Sequence, residues 1–139
     1  MSTVLFEEPF ATMPGSSPNN QPGQGDMKVI SCIIRPEHLE AVKAALDQLQ
    51  VVGGMTVTDV RGFGRQKGQV EHYRGSEYTI RFIAKVRVDV VVRTGDADRV
   101  VAAVSNAART GRVGDGKIFV LDVRSAIRVR TGERGVIAL

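Results

Sequence analysis

The sequence predicts an α+β domain in the order β-α-β-β-α-β, and three observations carry that prediction. Ile80, Phe82, Ala84, Val86, Val88, Val90 and Val92 alternate with Arg81, Lys85, Arg87 and Asp89, the period-two pattern of a long strand with one buried face. Two other segments place apolar residues at helical spacing: Leu39, Val42, Leu46 and Leu49, then Val100, Val101, Val104 and Ala108. Short β-branched runs at 28–34, 55–61 and 117–123 flank those helices, so strands and helices interleave along the chain.

Each element has a local cause. KVISCII (28–34) is a compact apolar strand, and Pro36 after it suits the first position of a helix. That helix ends before Gly53-Gly54, and MTVTDVR (55–61) alternates as a second strand. The polar stretch 62–78, GFGRQKGQVEHYRGSEY, has four glycines and the cations Arg65, Lys67 and Arg74. It is too long for an ordinary connection and reads as a functional, mobile loop. TGDAD (94–98) offers caps for the second helix, which should end near Gly111. KIFVLDV (117–123) is the fourth strand, and AIRVR (126–130) reads as a short last one. This order is the split βαβ, or ferredoxin-like, arrangement.

The chain has 139 residues, enough for one sizeable core. Residues 1–26 hold four of the five prolines and end in PGSSPNNQPGQGD, so they read as a disordered extension ahead of a domain at 27–139. The net charge is +4, but 1–26 carries −3, which leaves +7 on the domain. A domain that basic meets an anionic partner: nucleic acid, lipid headgroups, phosphates or carboxylates. The lone cysteine, Cys32, excludes an internal disulfide and reads as a buried structural thiol. No stretch has the length of a membrane span, and the acidic N-terminus is neither a signal nor a transit peptide, so the expected location is cytoplasmic.

Three partial motifs need sorting. RGFG (61–64) copies the start of an RNA-binding signature, but Arg65-Gln66-Lys67-Gly68 follow where stacking aromatics belong, and the motif sits on the wrong strand. GRVGDGKI (111–118) has G-x-x-x-x-G-K, yet Ile118 replaces the magnesium-holding hydroxyl and a strand follows instead of a helix, which excludes a P-loop. It is either a plain turn or a backbone nest whose amides face an anion that Lys117 neutralises. IRVR (127–130) places Arg128 and Arg130 on one side of a strand, either as a solvated basic edge or as forked donors for phosphate. With Lys117 a short turn away, the phosphate reading gains. His38 and His72 have no metal-ligand spacing, and no nucleophile–base set or carboxylate pair offers a seat for catalysis.

YRGSEY (73–78) and TGRVGDGKIFVLDV (110–123) resemble the two signature segments of the PII nitrogen-regulatory signal-transduction proteins. GMTVTDVRGFGRQKG (54–68) and IRVRTGE (127–133) are similar to that family too, and the resemblance runs in order from Met27 to the C-terminus. It implies a homotrimer of ferredoxin-like subunits that is a regulator and not an enzyme. ATP and ADP would compete for clefts between subunits, with Mg²⁺ and 2-oxoglutarate joining ATP. By motif, Gly114, Asp115, Gly116, Lys117, Arg128, Arg130 and Arg65 would hold phosphates, and Thr56 and Asp89 would lie near the adenosine. Gln66 would ligate Mg²⁺ and touch 2-oxoglutarate, Lys85 would pair with its distal carboxylate, and Lys67 and the Gly68 amide would complete that pocket. Stretch 62–78 would be the T-loop that engages targets.

In that loop Tyr78 matches a tyrosine uridylylated in some members, and Ser76 a serine phosphorylated in cyanobacterial-type members. Ammonium channels, an arginine-pathway kinase and modifying enzymes are the partners implied; nucleic acid is not. The chain departs from the family in its N-terminal extension, in one extra residue within QVVGGMT (50–56), and in Asp89 where glutamate is common. Three other readings stay open: a PII-like regulator of a different small ligand, an RNA-binding module, and a small phosphohydrolase.

Overall fold

The computed structural model describes residues 25–64, 70–73, 76–79 and 82–139. Residues 1–24 of the expected extension, Arg65–Gly68 of the expected site, and Ile80 and Arg81 of the expected strand lie outside the described residues. Among the described residues, six strands and two helices follow in chain order: β1 (Met27–Ile34), α1 (Leu39–Leu49), β2 (Thr56–Gly62), β3 (Val70–Tyr73), β4 (Ser76–Thr79), β5 (Ile83–Arg93), α2 (Ala97–Ala108) and β6 (Gly116–Val123). Short 3₁₀ turns lie at Pro36–His38, Thr94–Asp96 and Gly135–Ala138.

The main sheet has the order β2-β5-β1-β6, antiparallel throughout, which is the expected βαββαβ architecture. Period two divides its residues cleanly. Ile30, Cys32 and Ile34 of β1 and Val86, Val88, Val90 and Val92 of β5 are buried under the helices, together with Val42 and Leu46 of α1 and Ala97, Val100, Val104 and Ala108 of α2. Within this core Cys32 is buried, and burial, followed by the Asp89 charge, pushes its thiol pKa up to about 11. That is an inert structural thiol. Among the described residues, no helix lies on the opposite face of the sheet.

Stretch 62–78 contains structure that its polarity concealed. β3 and β4 form a hairpin in which Val70 pairs with Thr79, Glu71 with Tyr78, His72 with Glu77 and Tyr73 with Ser76. The candidate modification residues Ser76 and Tyr78 therefore lie on one strand.

Three sequence expectations change. AIRVR is not a strand: Ile127 makes one isolated bridge to Arg134, and the Arg128 amide donates to Glu133 O at 2.9 Å while the Gly132 amide donates to Arg128 O at 2.7 Å. The segment satisfies its backbone by turning on itself, and Val129 is 98% exposed, so its alternation has no face to pack against. Arg128 and Arg130 consequently do not share the side of a strand. Helix α2 stops at Ala108, and no side chain caps its start. Thr94 Oγ1 instead donates to Gly25 O at 2.5 Å, and the Thr94 amide donates to Asp26 O at 2.8 Å. Gly25 and Asp26, the end of the expected extension, are thereby tied to the 3₁₀ turn Thr94–Asp96 that follows β5.

Leu46 is fully buried between the helices and the sheet. Leu46→Ala is expected to lower unfolding stability by about 2–5 kcal/mol through lost burial and a residual cavity, read from the midpoint of urea denaturation.

Candidate functional site

The register brings one end of the sheet to a single place. Gly62 pairs with Ile83, and Ile34 pairs with both Val86 and Gly116. The chain thus leaves β2, re-enters β5, ends β1 and starts β6 at the same edge, where the glycine-rich turn 110–116 also lies. Phe63 and Phe82, both exposed, meet there with ring centroids 6.3 Å apart, a tilted aromatic contact at the base of the 62–78 stretch.

The turn is organised by a carboxylate. Thr110 Oγ1 donates to Asp115 Oδ1 at 2.5 Å, and the amides of Thr110 and Gly111 each donate to Oδ2 at 2.8 Å. Arg35 Nε reaches Oδ1 at 3.4 Å. These bonds, led by the Thr110 hydroxyl, hold the Asp115 pKa well below the usual carboxylate range. The Asp115 side chain is thus consumed in shaping the turn, and its own amide donates to Arg112 O at 3.3 Å, which leaves the neighbouring glycine amides as the ones suited to face an anion.

Two cations fasten the turn to the sheet. Arg35 Nη2 donates to Val113 O at 2.9 Å, and Lys85 Nζ donates to Gly114 O at 2.5 Å. Because C=O and the next N–H point opposite ways across a trans peptide, holding the Val113 carbonyl on Arg35 turns the Gly114 amide away from that cation. Lys85 is buried, and desolvation, then the neighbouring Arg35 charge, lowers its pKa from the ordinary lysine value.

Gly116 closes the turn onto β1. Its φ is +109°, and a Cβ there would lie 1.7 Å from Ile33 O, so only glycine lets β6 start this close to β1. On the helix side of the turn a cavity of about 260 Å³ is lined by Ser105 and Arg109 with Ile34, Val104 and Ile118.

The expected residues fall into two groups. Alternation puts Lys85, Asp89, Thr56 and Lys117 on the sheet face that carries no helix, because Val86, Val88 and Ile118 point to the core. Thr56 pairs directly with Asp89, and the Asp89 carboxylate forms an ion pair with Arg87, Nε to Oδ2 at 3.0 Å. With Gly114, Asp115 and Gly116 these residues form one constellation at and below the turn. Arg128 and Arg130 are elsewhere. Arg128 Nη2 donates to Ile137 O and Leu139 O, Leu139 packs against Gly53, and Val136 and Leu139 line a cavity of about 580 Å³ with Arg93 and Asp96.

That is the opposite end of the sheet. Lys117 pairs with Ile33 and Arg93 with Met27, positions separated along β1 by about 20 Å. The expectation that Arg128 and Lys117 are a short turn apart is therefore corrected: β6 runs the length of the sheet between them.

Three contributors escaped sequence reasoning. Arg35 and Thr110 shape the turn through partners far away or in the loop itself, and Arg87 enters the Asp89 row only through sheet register. The Arg-Pro junction at 35–36 was the one available signal for Arg35, since it ends a strand at the same edge as the turn. Among the described residues, no group of three or more His, Cys, Asp or Glu is placed to hold a metal ion, and no helix is long and apolar enough to cross a membrane.

Residues 27–133 match the family described as Nitrogen regulatory protein P-II. The nitrogen regulatory proteins P-II of Synechocystis sp. and Rhizobium meliloti are 54% and 52% identical over 113 residues, 81% of this chain and 100% of each relative. The nitrogen regulatory protein GlnK of Escherichia coli is 50% identical over the same coverage. A crystal structure of Arabidopsis thaliana PII bound to citrate superimposes with a TM-score of 0.69 at 39% identity, covering 88% of this chain and 100% of that one.

Two outcomes test the turn. Gly116→Ala is expected to destabilise the protein by about 3 kcal/mol or more, through positive φ and the clash with Ile33 O, whereas Gly54→Ala, which meets nothing within 4 Å, should stay within about 0.5 kcal/mol in the same denaturation assay. The second outcome concerns acid. A depressed carboxylate pKa contributes stability that is present above the unfolded value, near 4, and is lost as pH falls through the folded one. Wild type should therefore exceed Asp115→Asn in melting temperature at pH 6, with the gap narrowing steadily towards pH 2.

Proposed function

The chain belongs to the nitrogen regulatory protein P-II family, a signal-transduction regulator and not an enzyme, and from that premise we propose that it senses ATP or ADP together with 2-oxoglutarate and signals through residues 62–78. The observation that carries this reading is the bond from Lys85 Nζ to Gly114 O. It joins the residue assigned to a carboxylate directly to the turn assigned to phosphates, so occupancy at one is felt at the other. Both also sit where the chain leaves for 62–78 at Gly62 and returns at Phe82, which gives ligands mechanical access to the output segment.

In this reading the amides of Gly114 and Gly116 and the Lys117 ammonium hold phosphates, Asp115 shapes the turn that presents them, and Arg65 is added from the T-loop base. Thr56 and Asp89 face the adenosine; at Asp89 the shorter side chain is already paired to Arg87. Lys85 takes the distal carboxylate of 2-oxoglutarate, with Gln66, Lys67 and the Gly68 amide completing the pocket. Magnesium would be held by the nucleotide's phosphates and Gln66, and the ion would neutralise phosphate charge beside the effector. The citrate bound by the Arabidopsis relative supports carboxylate recognition by this fold.

The separation of Arg128 and Arg130 from Lys117 by about the length of a strand supports a homotrimer. One chain cannot surround a single triphosphate with both groups, but the turn end of one subunit and the C-terminal end of the next can. The uncovered sheet face supports the same assembly: Phe119, at 50% exposed, and Leu121 lie on it with Val29 and Val91, an apolar surface that a neighbour would bury. Protein targets such as an ammonium channel, an arginine-pathway kinase or modifying enzymes would read the position of 62–78, with Ser76 or Tyr78 as the modified residue. The domain proper is 27–139, in the cytoplasm, with 1–26 as an extension.

Lys85→Ala is expected to abolish 2-oxoglutarate binding measured by calorimetry in the presence of MgATP while weakening ATP only modestly, by about two- to fivefold through the lost tie to Gly114 O. Arg128→Ala with Arg130→Ala should weaken ATP and ADP alike, by about tenfold or more. Equal loss of both ligands in Lys85→Ala would contradict the separate roles assigned here.

A further inference from the structure

Arg128 is engaged within its own chain by acceptors of the same chemistry as a phosphate. Its Nη1 donates to Glu133 Oε1 at 2.7 Å, and its Nη2 donates to Ile137 O at 2.9 Å and Leu139 O at 3.3 Å. The carboxylate it meets is pre-oriented, because Thr131 Oγ1 also donates to Glu133 Oε1 at 2.8 Å and accepts from the Glu133 amide at 3.2 Å. The backbone bonds between Arg128 and residues 132 and 133 close the same loop. Both terminal nitrogens of the guanidinium are therefore occupied, and a two-pronged grip on an oxyanion must use at least one of them. Arg128 and Glu133 are each about one third exposed, so water screens the pair only partly.

Resting on the reading of Arg128 as a phosphate-binding residue, we propose that residues 133–139 compete with the nucleotide's phosphates for Arg128, which makes Glu133 and the C-terminal carbonyls determinants of nucleotide affinity. A phosphate and the Glu133 carboxylate are both anionic, so they repel one another across a shared guanidinium. As the phosphate takes Arg128, the carboxylate and the carbonyls of Ile137 and Leu139 are released to water. The short helical turn 135–138 then keeps its bonds from the Gly135 amide to Ala126 O and from the Leu139 amide to Val136 O. No bond is made or broken covalently; one set of acceptors replaces another.

The test is ATP titration by calorimetry of the full-length protein and three variants, Glu133→Gln, Arg128→Ala and the double variant, with hydrogen exchange of residues 135–139 followed in the wild type. Glu133→Gln is expected to tighten ATP by about two- to fivefold, the range for a partly exposed ion pair. Arg128→Ala should weaken ATP by about tenfold, and Glu133→Gln should add nothing in that background. ATP should also speed exchange at 135–139. Unchanged or weaker binding by Glu133→Gln, in a protein where Arg128→Ala does weaken ATP, would overturn the competition and leave the Arg128 assignment standing. Wild-type affinity in Arg128→Ala would overturn both. Should Glu133→Gln melt far below wild type, a chain ending at Val136 makes the same comparison with Glu133 in place, tighter binding supporting the competition and unchanged binding overturning it.

Discussion

The fastening of turn 110–116 to the sheet is the constraint on which the rest of the molecule depends. A glycine-rich turn left to itself samples many conformations and presents no fixed array of amides. Here three independent ties select one. Asp115 gathers the hydroxyl of Thr110 and two amides; Arg35 and Lys85 draw the Val113 and Gly114 carbonyls towards the sheet; and Gly116 abuts the Ile33 carbonyl at a distance no side chain permits. Arg35 follows β1, Lys85 lies on β5 and Gly116 opens β6, so the turn inherits the rigidity of the sheet rather than that of its own sequence. Preorganisation of this kind lowers the cost of ordering a site when an anion arrives.

The same constraint has a counterpart in charge. Several cations among the described residues are already engaged by partners within the fold. Arg35 and Lys85 are turned inward against carbonyls, Arg87 is paired to Asp89, Lys28 is paired to Asp122, and Arg128 is paired to Glu133. At the turn, then, the fold offers an anion positioned glycine amides beside cations whose present partners are exchangeable. That arrangement suits recognition of compact polyanions better than attraction to a nucleic-acid backbone, where unpaired surface cations supply the affinity.

Much of the fold was legible in the residues because alternation and helical spacing report which face is buried. The βαββαβ order, the core residues of β1 and β5 and the helices at Leu39–Leu49 and Ala97–Ala108 all follow from apolar periodicity. AIRVR misled for the same reason: its alternation is real, but Val129 faces solvent and a tight turn satisfied the backbone in place of a neighbouring strand. The β3–β4 hairpin was hidden because a polar strand carries no burial signal. At the site, motif similarity picked out Gly114, Asp115, Gly116 and Lys117 together, yet it could not show that the Asp115 side chain serves the turn. Nor could it show that Arg128 lies at the other end of the sheet. Both facts depend on long-range register, which a linear spacing does not encode.

Phosphate and carboxylate recognition, as proposed, meet at the Lys85–Gly114 bond. Coupling is reciprocal by thermodynamic necessity, so the direct measurement is a calorimetric cycle: 2-oxoglutarate titrated with and without MgATP, and ATP titrated in the presence of Mg²⁺ with and without 2-oxoglutarate. Each ligand is expected to tighten the other by the same factor, on the order of tenfold or more. Equal 2-oxoglutarate affinity in the presence and absence of MgATP would contradict it.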